Sequence, residues 1–495
     1  MWWLYIALFV LFIYVLDQFL FDKRLLELGE KFNGPKRWPI IGNGAYFYGV
    51  GPKEYYGFVK QCMETFARDK TKMLRFWVGN QLEVNTDDPK HIEMILTNTK
   101  FISKSSQYSF LNDSLGDGLL FSTNQKWFSR RRAITPTFHF KILEQFFEVF
   151  IKHNQILLKK IEAKANGEIF DIFPLVTASV MNALCETAMG CELKAEDFKY
   201  LDAVKELGYR VAERFLTPWQ RIDFLFNLTD SKREQDRCAK VMHEFTTRII
   251  EGRRQQLTKE KVQNLDNLDD DDVGLKKKMC LLDVLLQSTV EGKPLTNADI
   301  QEEVDTFTFA GHDTTTNAIC FTLFTISKFP EVQMKLNEEI RQIIGDGEVT
   351  FKVINELKYL DLVIKETMRL YPPVPIIARR LHEEVDFGDF IAPANANYNL
   401  MFYTLFKNPE VFKDPEEFIP ERFVDNQLSP YAFTPFSAGQ RNCIGQKFAL
   451  LNVKNNIINI LRKFEVVAGK VEPVLEINLT LKCDGILIGF KPKAK

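Results

Sequence analysis

The sequence predicts a mainly α-helical globular body with a smaller β-rich portion, preceded by one membrane-spanning helix. Three observations predict this class: an apolar run at the N-terminus, helical patterning over most of the rest, and a long helix with both ends marked between residues 296 and 329. The chain has 495 residues, of which 45% are hydrophobic. It therefore has enough apolar material for a large core.

The N-terminal run covers residues 2–16 and resumes at Phe19 after Asp17 and Gln18. A bilayer-spanning helix needs about 20 predominantly apolar residues. A buried core helix and a cleaved signal peptide are the alternatives, and the second is disfavoured because no basic segment precedes the run and no small-residue cleavage site follows it. We expect a retained anchor over residues 1–22, with Asp17 near enough to the basic end of the run to reach the interface.

Basic side chains follow the anchor and predict that the rest of the chain stays in the cytosol. Residues 23–45 are rich in these side chains and are punctuated by proline and glycine, which predicts a stiff hinge. Residues 46–495 are then expected to form one domain. Strands are expected near residues 76–86 and 376–402, and the polar run 255–278 is expected to be a solvated loop.

The long helix has marked ends. Thr296 can cap its first turn together with Asp299 three residues on, and Pro330 ends it at Phe329. A helix of this length predicts a central spine for the body.

Composition excludes several classes of protein. The 64 basic and 66 acidic residues give a formal charge of −2, so no nucleic-acid footprint is present. The eight cysteines form no C-x-x-C pair, which argues against a zinc site and against a dense disulfide framework. The segment Gly42-Asn43-Gly44 lacks the third glycine of a dinucleotide fingerprint.

The strongest motif lies near the C-terminus. Residues 436–445 read F-S-A-G-Q-R-N-C-I-G and match F-x-x-G-x-R-x-C-x-G at every fixed position, a match with a chance frequency of about one in ten thousand for a chain of this length. This motif resembles the haem-thiolate signature of the cytochrome P-450 family. The resemblance implies haem b with its iron held by Cys443, whose thiolate pushes electron density toward the metal.

The same resemblance implies further haem contacts. Trp127 and Arg131 stand four residues apart, so one helical face offers an indole N–H and a guanidinium to a propionate. The alternative places Trp127 in the core and Arg131 in a surface cluster. The full set of residues expected to contact haem comprises Cys443, Arg441, Trp127, Arg131, Arg379, Phe436, Gly439 and Ala310.

An E-x-x-R pair, Glu366 and Arg369, is followed by Arg422 in a Pro-Glu-Arg-Phe segment. The i,i+3 spacing places both side chains of the pair on one helical face. The pattern alone is weak, because the chain carries it at three other places. The resemblance implies that these three residues form a buried structural triad which locks the segment presenting Cys443.

Residues 310–315 read A-G-H-D-T-T and resemble the oxygen-activation motif of the family. The resemblance implies that Thr314 offers a hydroxyl beside bound dioxygen and that Asp313 relays protons as a general acid. The alternative is a helix bent by threonine back-bonding, with Asp313 paired internally. Many members of the fourth P-450 family carry a glutamate, esterified to haem, where this chain has Ala310, so covalent attachment of haem is not expected.

The resemblance covers residues 30–490 and implies a monooxygenase that inserts one oxygen atom from O2 into an apolar substrate, namely a fatty acid, a terpenoid or a xenobiotic. The sequences of segments 135–140 and 304–309 resemble those of the fourth family, whose members often hydroxylate fatty-acid chain ends. The implied electron donors are NADPH-cytochrome P-450 reductase and cytochrome b5, and the implied location is the endoplasmic reticulum membrane. A haem-thiolate isomerase or dehydratase and a non-catalytic haem sensor remain alternatives. Basic residues expected to contact the reductase are Lys126, Arg130, Arg132 and Lys447.

Overall fold

The computed structural model describes residues 2–68, 71–266, 280–290, 292–424 and 428–493. Within these ranges the α-helices are α1 Trp2–Leu20, α2 Lys23–Gly29, α3 Tyr55–Phe66, α4 Pro89–Thr97, α5 Asn112–Leu115, α6 Asn124–Ile134, α7 Phe140–Glu162, α8 Phe173–Leu184, α9 Lys199–Leu216, α10 Asp223–Phe226, α11 Asp230–Asp266, α12 Leu281–Gln287, α13 Asn297–Lys328, α14 Pro330–Ile343, α15 Lys358–Leu370, α16 Phe402–Leu405 and α17 Gln446–Lys463.

The strands in the described part of the chain are short and belong to five sheets. They are β1 Met73–Val78, β2 Gln81–Thr86, β3 Phe170–Asp171, β4 Thr289–Val290, β5 Lys293–Pro294, β6 Ile377–Arg380, β7 Val385–Asp386, β8 Ile391–Ala392, β9 Asn397–Leu400, β10 Phe464–Ala468, β11 Leu475–Ile477, β12 Leu481–Cys483 and β13 Leu487–Pro492. The main sheet has the order β1-β2-β9-β6, in which β2 and β9 are parallel and the other pairs antiparallel. The strands predicted near residues 76–86 and 376–402 are confirmed, and so is the mainly α-helical class.

Helix α1 is long and apolar enough to cross a membrane, and its side chains are almost all exposed. Its buried residue is Asp17, whose carboxylate accepts two hydrogen bonds of 2.8 Å from Arg37 and one of 2.8 Å from the backbone N–H of Ile40. The Arg37 guanidinium also lies 4.4 Å from the centre of the Phe21 ring. Arg37 therefore neutralises the charge of Asp17 within the protein. The local sequence does not reveal this partner.

The segment between α1 and the body is held to the edge of the main sheet. Arg75 donates its backbone N–H to Asn33 O at 2.8 Å. The Asn43 side chain accepts a hydrogen bond of 2.8 Å from the backbone N–H of Trp77, and Phe32 is buried. These two hydrogen bonds hold the segment between α1 and the body against β1.

Helix α13 is the central spine. Thr296 caps it through its hydroxyl, Asp299 completes the capping box, and Pro330 opens the next helix. The predicted ends are confirmed to within one residue. Residues are buried on every face of α13, because α8, α11, α15 and α17 pack around it.

The prediction of a loop from residue 255 is wrong for its first part, because α11 continues to Asp266. Contacts beyond the local sequence hold this helix: Arg253 pairs with Asp283 of α12 at 2.7 Å, and Arg254 donates to Asn297 at 2.9 Å. The acidic and basic runs at 269–272 and 276–278 lie outside the described residues.

Helix α17 fixes the loop that precedes it. The Phe448 ring packs against Phe150, with ring centres 4.9 Å apart, and against Phe146 at 6.1 Å. Burial of each such ring contributes about 1.5–3 kcal/mol. Cys443 stands five residues before Phe448, so α7 and α17 together determine where the Cys443 loop lies.

Candidate active site

The Cys443 loop is a tight turn before α17. The Cys443 backbone N–H donates to Phe436 O at 2.9 Å, and the Asn442 N–H donates to Gly439 O at 3.2 Å. Gly439 has φ +67°, and a Cβ there would lie 2.0 Å from Leu96 O. Only glycine fits that position. Gly439 allows the loop to pack closely against α4. It is not among the residues that line the cavity between α13 and the loop.

A largely apolar cavity separates α13 from the Cys443 loop. Ala310, Gly311 and Thr314 line it on the helix side, and Phe436 and Cys443 line it on the loop side. Further apolar side chains in the lining include Leu120, Phe138, Leu184, Phe307, Val374, Ile377 and Phe448. Two facing walls with a thiol on one of them suit a flat apolar group that carries a metal.

The surroundings of the Cys443 thiol have opposing effects on its pKa. Burial raises its pKa, while the N–H of Gly445 and the charge of Arg131 act in the opposite direction. A thiolate is the form that binds metals, and a bound cation at the sulfur stabilises that form far more than either neighbour does. The site therefore fits an iron-thiolate bond.

Arg441 is held by the chain on all sides. Its guanidinium donates to Ile102 O at 3.1 Å, to Leu119 O at 3.3 Å and to Ser122 O, and it lies 4.3 Å from the centre of the Trp127 ring. Burial, followed by the nearby positive charge of Arg379, lowers the pKa of Arg441 to about 9. An anion beside this guanidinium would stabilise its charged form and offset the effect of burial.

Two more of the expected arginines line the same cavity. Arg379 is buried on β6 and donates to Ala378 O at 3.0 Å. Arg131 lines the cavity as well, but its two terminal nitrogens are directed to Asn442. Arg131 therefore supports the Cys443 loop directly, which the sequence did not indicate.

Lys104 is a cavity residue that sequence reasoning missed. Its ammonium lies 4.9 Å from the centre of the Tyr108 ring, and burial, reinforced by Arg379 and Arg441, holds its pKa well below the ordinary value. No signature motif contains it, so no sequence signal could have found it. Among the described residues, no carboxylate forms an ion pair with any of the four cavity cations, which are Lys104, Arg131, Arg379 and Arg441.

The positive charge of these side chains can be compared with the charge of haem b to judge whether haem b fits the cavity. Haem b carries two propionates, and cations withdrawn from water without a counter-charge are costly unless an anion joins them. The thiol, the apolar walls and the cations therefore match the iron, the ring and the propionates. We conclude that the residues present fit haem b.

On α13, Thr314 lines the cavity and donates its hydroxyl to Ala310 O at 2.9 Å. Gly311 leaves space mainly for Leu184, which an added Cβ would approach to 3.0 Å.

His312 is buried, and its Nδ1 bonds Thr308 O at 2.7 Å, so it is a packed side chain away from the cavity. The threonine back-bonding considered from the sequence is present.

Asp313 faces away from the cavity, toward β12. Its carboxylate binds the ammonium of Lys482 and accepts a hydrogen bond from the Thr480 hydroxyl at 2.5 Å. Burial alone would raise the pKa of Asp313, but Lys482, His312 and Thr480 together hold it below the ordinary value. Asp313 is therefore an ionised, internally paired carboxylate next to Thr314 in sequence.

A second apolar cavity adjoins the first. Both are lined by Lys104, Ala310 and Thr314. The second cavity is also lined by Phe215 of α9 and by residues 477–480 between β11 and β12. Thr314 thus stands at the junction of the two spaces.

Glu366, Arg369 and Arg422 form one buried network. Arg369 binds Glu366 through hydrogen bonds of 2.8 and 2.9 Å, and Arg422 binds the same carboxylate at 2.9 Å. Arg369 also donates to the carbonyls of Phe406, Pro415 and Glu417. The network fastens α15 to the segment that leads toward the Cys443 loop.

The basic residues expected to contact a reductase have different environments. Arg130 is buried and bound to Asp299, so its expected role at the surface is wrong. Its partner lies in the first turn of α13, a contact that local sequence cannot show. Lys126 pairs with Glu302 at 2.7 Å, while Arg132 and Lys447 are exposed.

Comparisons with known proteins agree with this geometry. The sequence model of the family described as cytochrome P-450 matches residues 32–489. Cytochrome P-450 4d2 of Drosophila melanogaster is 42% identical over 473 residues, which are 93% of this chain and 94% of that protein. Cytochrome P-450 4d8 of the same species is 41% identical over 90% of this chain and 98% of its own. Cytochrome P-450 4d10 of Drosophila mettleri is 38% identical over 96% and 93%. The chain belongs to the cytochrome P-450 family, and it is a membrane-anchored haem-thiolate monooxygenase whose cofactor is haem b.

Proposed function

We propose that this enzyme inserts one oxygen atom from O2 into an apolar organic substrate, with electrons supplied by NADPH through NADPH-cytochrome P-450 reductase. The observation that carries the proposal is the shared cavity, which has the Cys443 thiol on one wall and the Thr314 hydroxyl on the other. A metal-binding sulfur and a proton donor thus face the same enclosed, largely apolar space.

The roles of the residues follow from their positions. When bound, haem b supplies the activation of dioxygen. Cys443 would hold the iron, Phe436 would pack on the loop side, and Arg441, Trp127 and Arg379 would hold the propionates, while Arg131 keeps the Cys443 loop in place. Thr314 holds a proton in the cavity that faces Cys443, and Asp313 relays protons to it, accepting each proton before donating it. The apolar walls exclude water, so protons reach the site through these groups.

The second cavity is the proposed substrate space. Its lining includes Phe110, Val211, Leu216 and Phe309, all apolar side chains. An acyl chain, a terpenoid or an apolar xenobiotic suits such walls. Ala310 offers no carboxylate for an ester, so we expect acidified organic solvent to extract the haem from the protein.

The anchor α1 places the enzyme at a membrane, and we propose the endoplasmic reticulum with the catalytic domain on the cytosolic side. The basic residues that follow α1 favour this orientation. Reductase and cytochrome b5 would then reach the exposed Arg132 and Lys447 from the cytosol.

Incubation of the full-length enzyme with purified reductase, ¹⁸O2 and a panel of fatty acids and terpenoids tests this function. We expect NADPH-dependent products that carry one ¹⁸O atom. A product formed without O2 and NADPH would instead indicate an isomerase or dehydratase. Haem binding without turnover of any compound would favour a sensor.

A further inference from the structure

The hairpin formed by β11 and β12 contacts both the substrate space and α13. On one side, Leu479 and Thr480 at its tip line the second cavity. Along β11, Glu476 pairs with Lys53 at 3.3 Å, and the backbone N–H of Ile477, next to the turn, donates to Pro52 O at 2.9 Å. Strand β11 is therefore held from outside the hairpin, while the turn faces the proposed substrate.

The same hairpin is fastened to α13 one turn beyond Ala310. Asn317 donates its side-chain amide to Leu481 O at 2.8 Å. Asp313 binds Lys482 and Thr480, which stand on either side of Leu481. Three consecutive residues of the hairpin thus hold two side chains of the spine helix.

This arrangement keeps Asp313 away from its proposed partner. Both of its oxygens are occupied by the hairpin, and the side chain is 11% exposed, against 18% for Lys482. Thr314, the next residue of α13, lines both cavities. For Asp313 to pass a proton toward Thr314, its contact with the hairpin has to loosen.

We propose that Lys482 is a positioning residue that, together with Thr480, restrains Asp313 until an occupant of the second cavity displaces residues 479–480. The inference rests on the proposed role of Asp313 as a proton relay. Thr480 links the two events, because the same residue lines the cavity and binds the carboxylate. Proton supply then begins when substrate is present, which limits wasteful reduction of oxygen in its absence.

Lys482→Met tests the restraint. The full-length haem-loaded enzyme and purified reductase are assayed for NADPH oxidation and peroxide release, first without substrate and then with dodecanoic acid as the occupant. We expect substrate-free NADPH oxidation to rise about tenfold, a fraction of the roughly 10²–10⁴-fold that one positioned general acid contributes, and the ratio of oxidation with and without dodecanoic acid to fall toward one. Lys482→Arg, which keeps the charge, should restore both values.

Lys53→Met is the matched control, because it removes an ion pair from the same hairpin without touching Asp313. Thr480→Val provides a second test if Lys482→Met retains too little haem to assay. A ratio that is the same in Lys482→Met, Lys53→Met and the unmodified enzyme overturns the proposal.

A double variant separates a role through Asp313 from simple support of the hairpin. In the Asp313→Asn background, Lys482→Met should change the substrate-free rate by less than twofold, because the restrained group is gone. An undiminished effect in that background shows a structural role and overturns the proposal. If Thr314→Ala leaves turnover fully coupled, the proposed relay itself is wrong, whatever Lys482→Met does.

Discussion

Arg131 donates two hydrogen bonds to Asn442, the residue immediately before Cys443: one of 3.0 Å to its backbone carbonyl and one of 2.8 Å to its side-chain oxygen. A planar guanidinium can make both bonds at once, whereas an ammonium is a single point of charge. The orientation of the metal-binding loop therefore depends on a side chain of α6, more than 300 residues away in sequence.

Arg131→Lys should loosen haem while leaving the fold intact. Hydrogen bonds to charged groups contribute about 1.5–3 kcal/mol, so we expect transfer of haem to an apoprotein acceptor to accelerate by about tenfold or more. Arg132→Lys, on the exposed face of the same helix, is the control and should have no effect. Equal transfer rates in both variants would contradict the role of Arg131.

Glu366→Ala should destabilise the protein severely. Breaking a buried ion pair by removing one partner costs about 3–5 kcal/mol, and here two arginines lose their carboxylate. Glu338→Ala removes an exposed pair with Arg341 at the same i,i+3 spacing, and should cost at most about 1 kcal/mol. Denaturant unfolding of the haem-loaded proteins measures the difference, and similar midpoints for the two variants would be inconsistent with the network.

Thr314→Ala should uncouple turnover. The variant keeps Cys443 and the haem cavity but loses the hydroxyl, so we expect product formation to fall by roughly 10–100-fold, with a smaller fall in NADPH use and more peroxide. Thr316→Val is the control, because Thr316 is buried on the same helix and donates to His312 O. Product and NADPH measured together decide the matter, and a fully coupled Thr314→Ala enzyme would refute the assignment.

Glu303 should make stability depend on pH. This carboxyl on α13 is fully buried, and burial raises its pKa to about 7. The folded state therefore holds the proton more tightly than the unfolded state. The stability that Glu303 contributes is complete below about pH 4.5, and it is lost as pH rises to about 7, by about 3 kcal/mol.

Glu303→Gln should remove that dependence. Its free energy of unfolding should exceed that of the unmodified protein at pH 8, and the two should converge toward pH 5. Asp230→Asn, at a highly exposed side chain, serves as the control. Parallel stability curves for Glu303→Gln and the unmodified protein between pH 5 and 8 would show that the carboxyl is not buried in solution.

Local signals in the sequence predicted the parts of the molecule that local chemistry determines. The Thr296 cap and Pro330 delimited α13, and the motif around Cys443 indicated a haem-thiolate site. The partners of Asp313 could not be predicted, because Thr480 and Lys482 lie more than 160 residues away in sequence.

The same limit explains the other differences. Arg130 resembles its exposed neighbour in sequence, and only the packing of α6 against α13 buries it. The pKa of Lys104 is lowered by burial and by Arg379 and Arg441, which other elements place near it. The haem motif could be found from sequence, whereas the charge balance around it needed the structure.

The central claim is that the Cys443 thiolate holds the haem iron. The direct measurement is the absorbance of the reduced carbon monoxide complex of the full-length protein and of Cys443→Ser, with Cys191→Ser as the control. The account predicts the band typical of thiolate ligation in the unmodified protein and in Cys191→Ser, and its loss in Cys443→Ser, because a neutral hydroxyl does not donate electron density as a thiolate does. Retention of that band in Cys443→Ser would contradict the account.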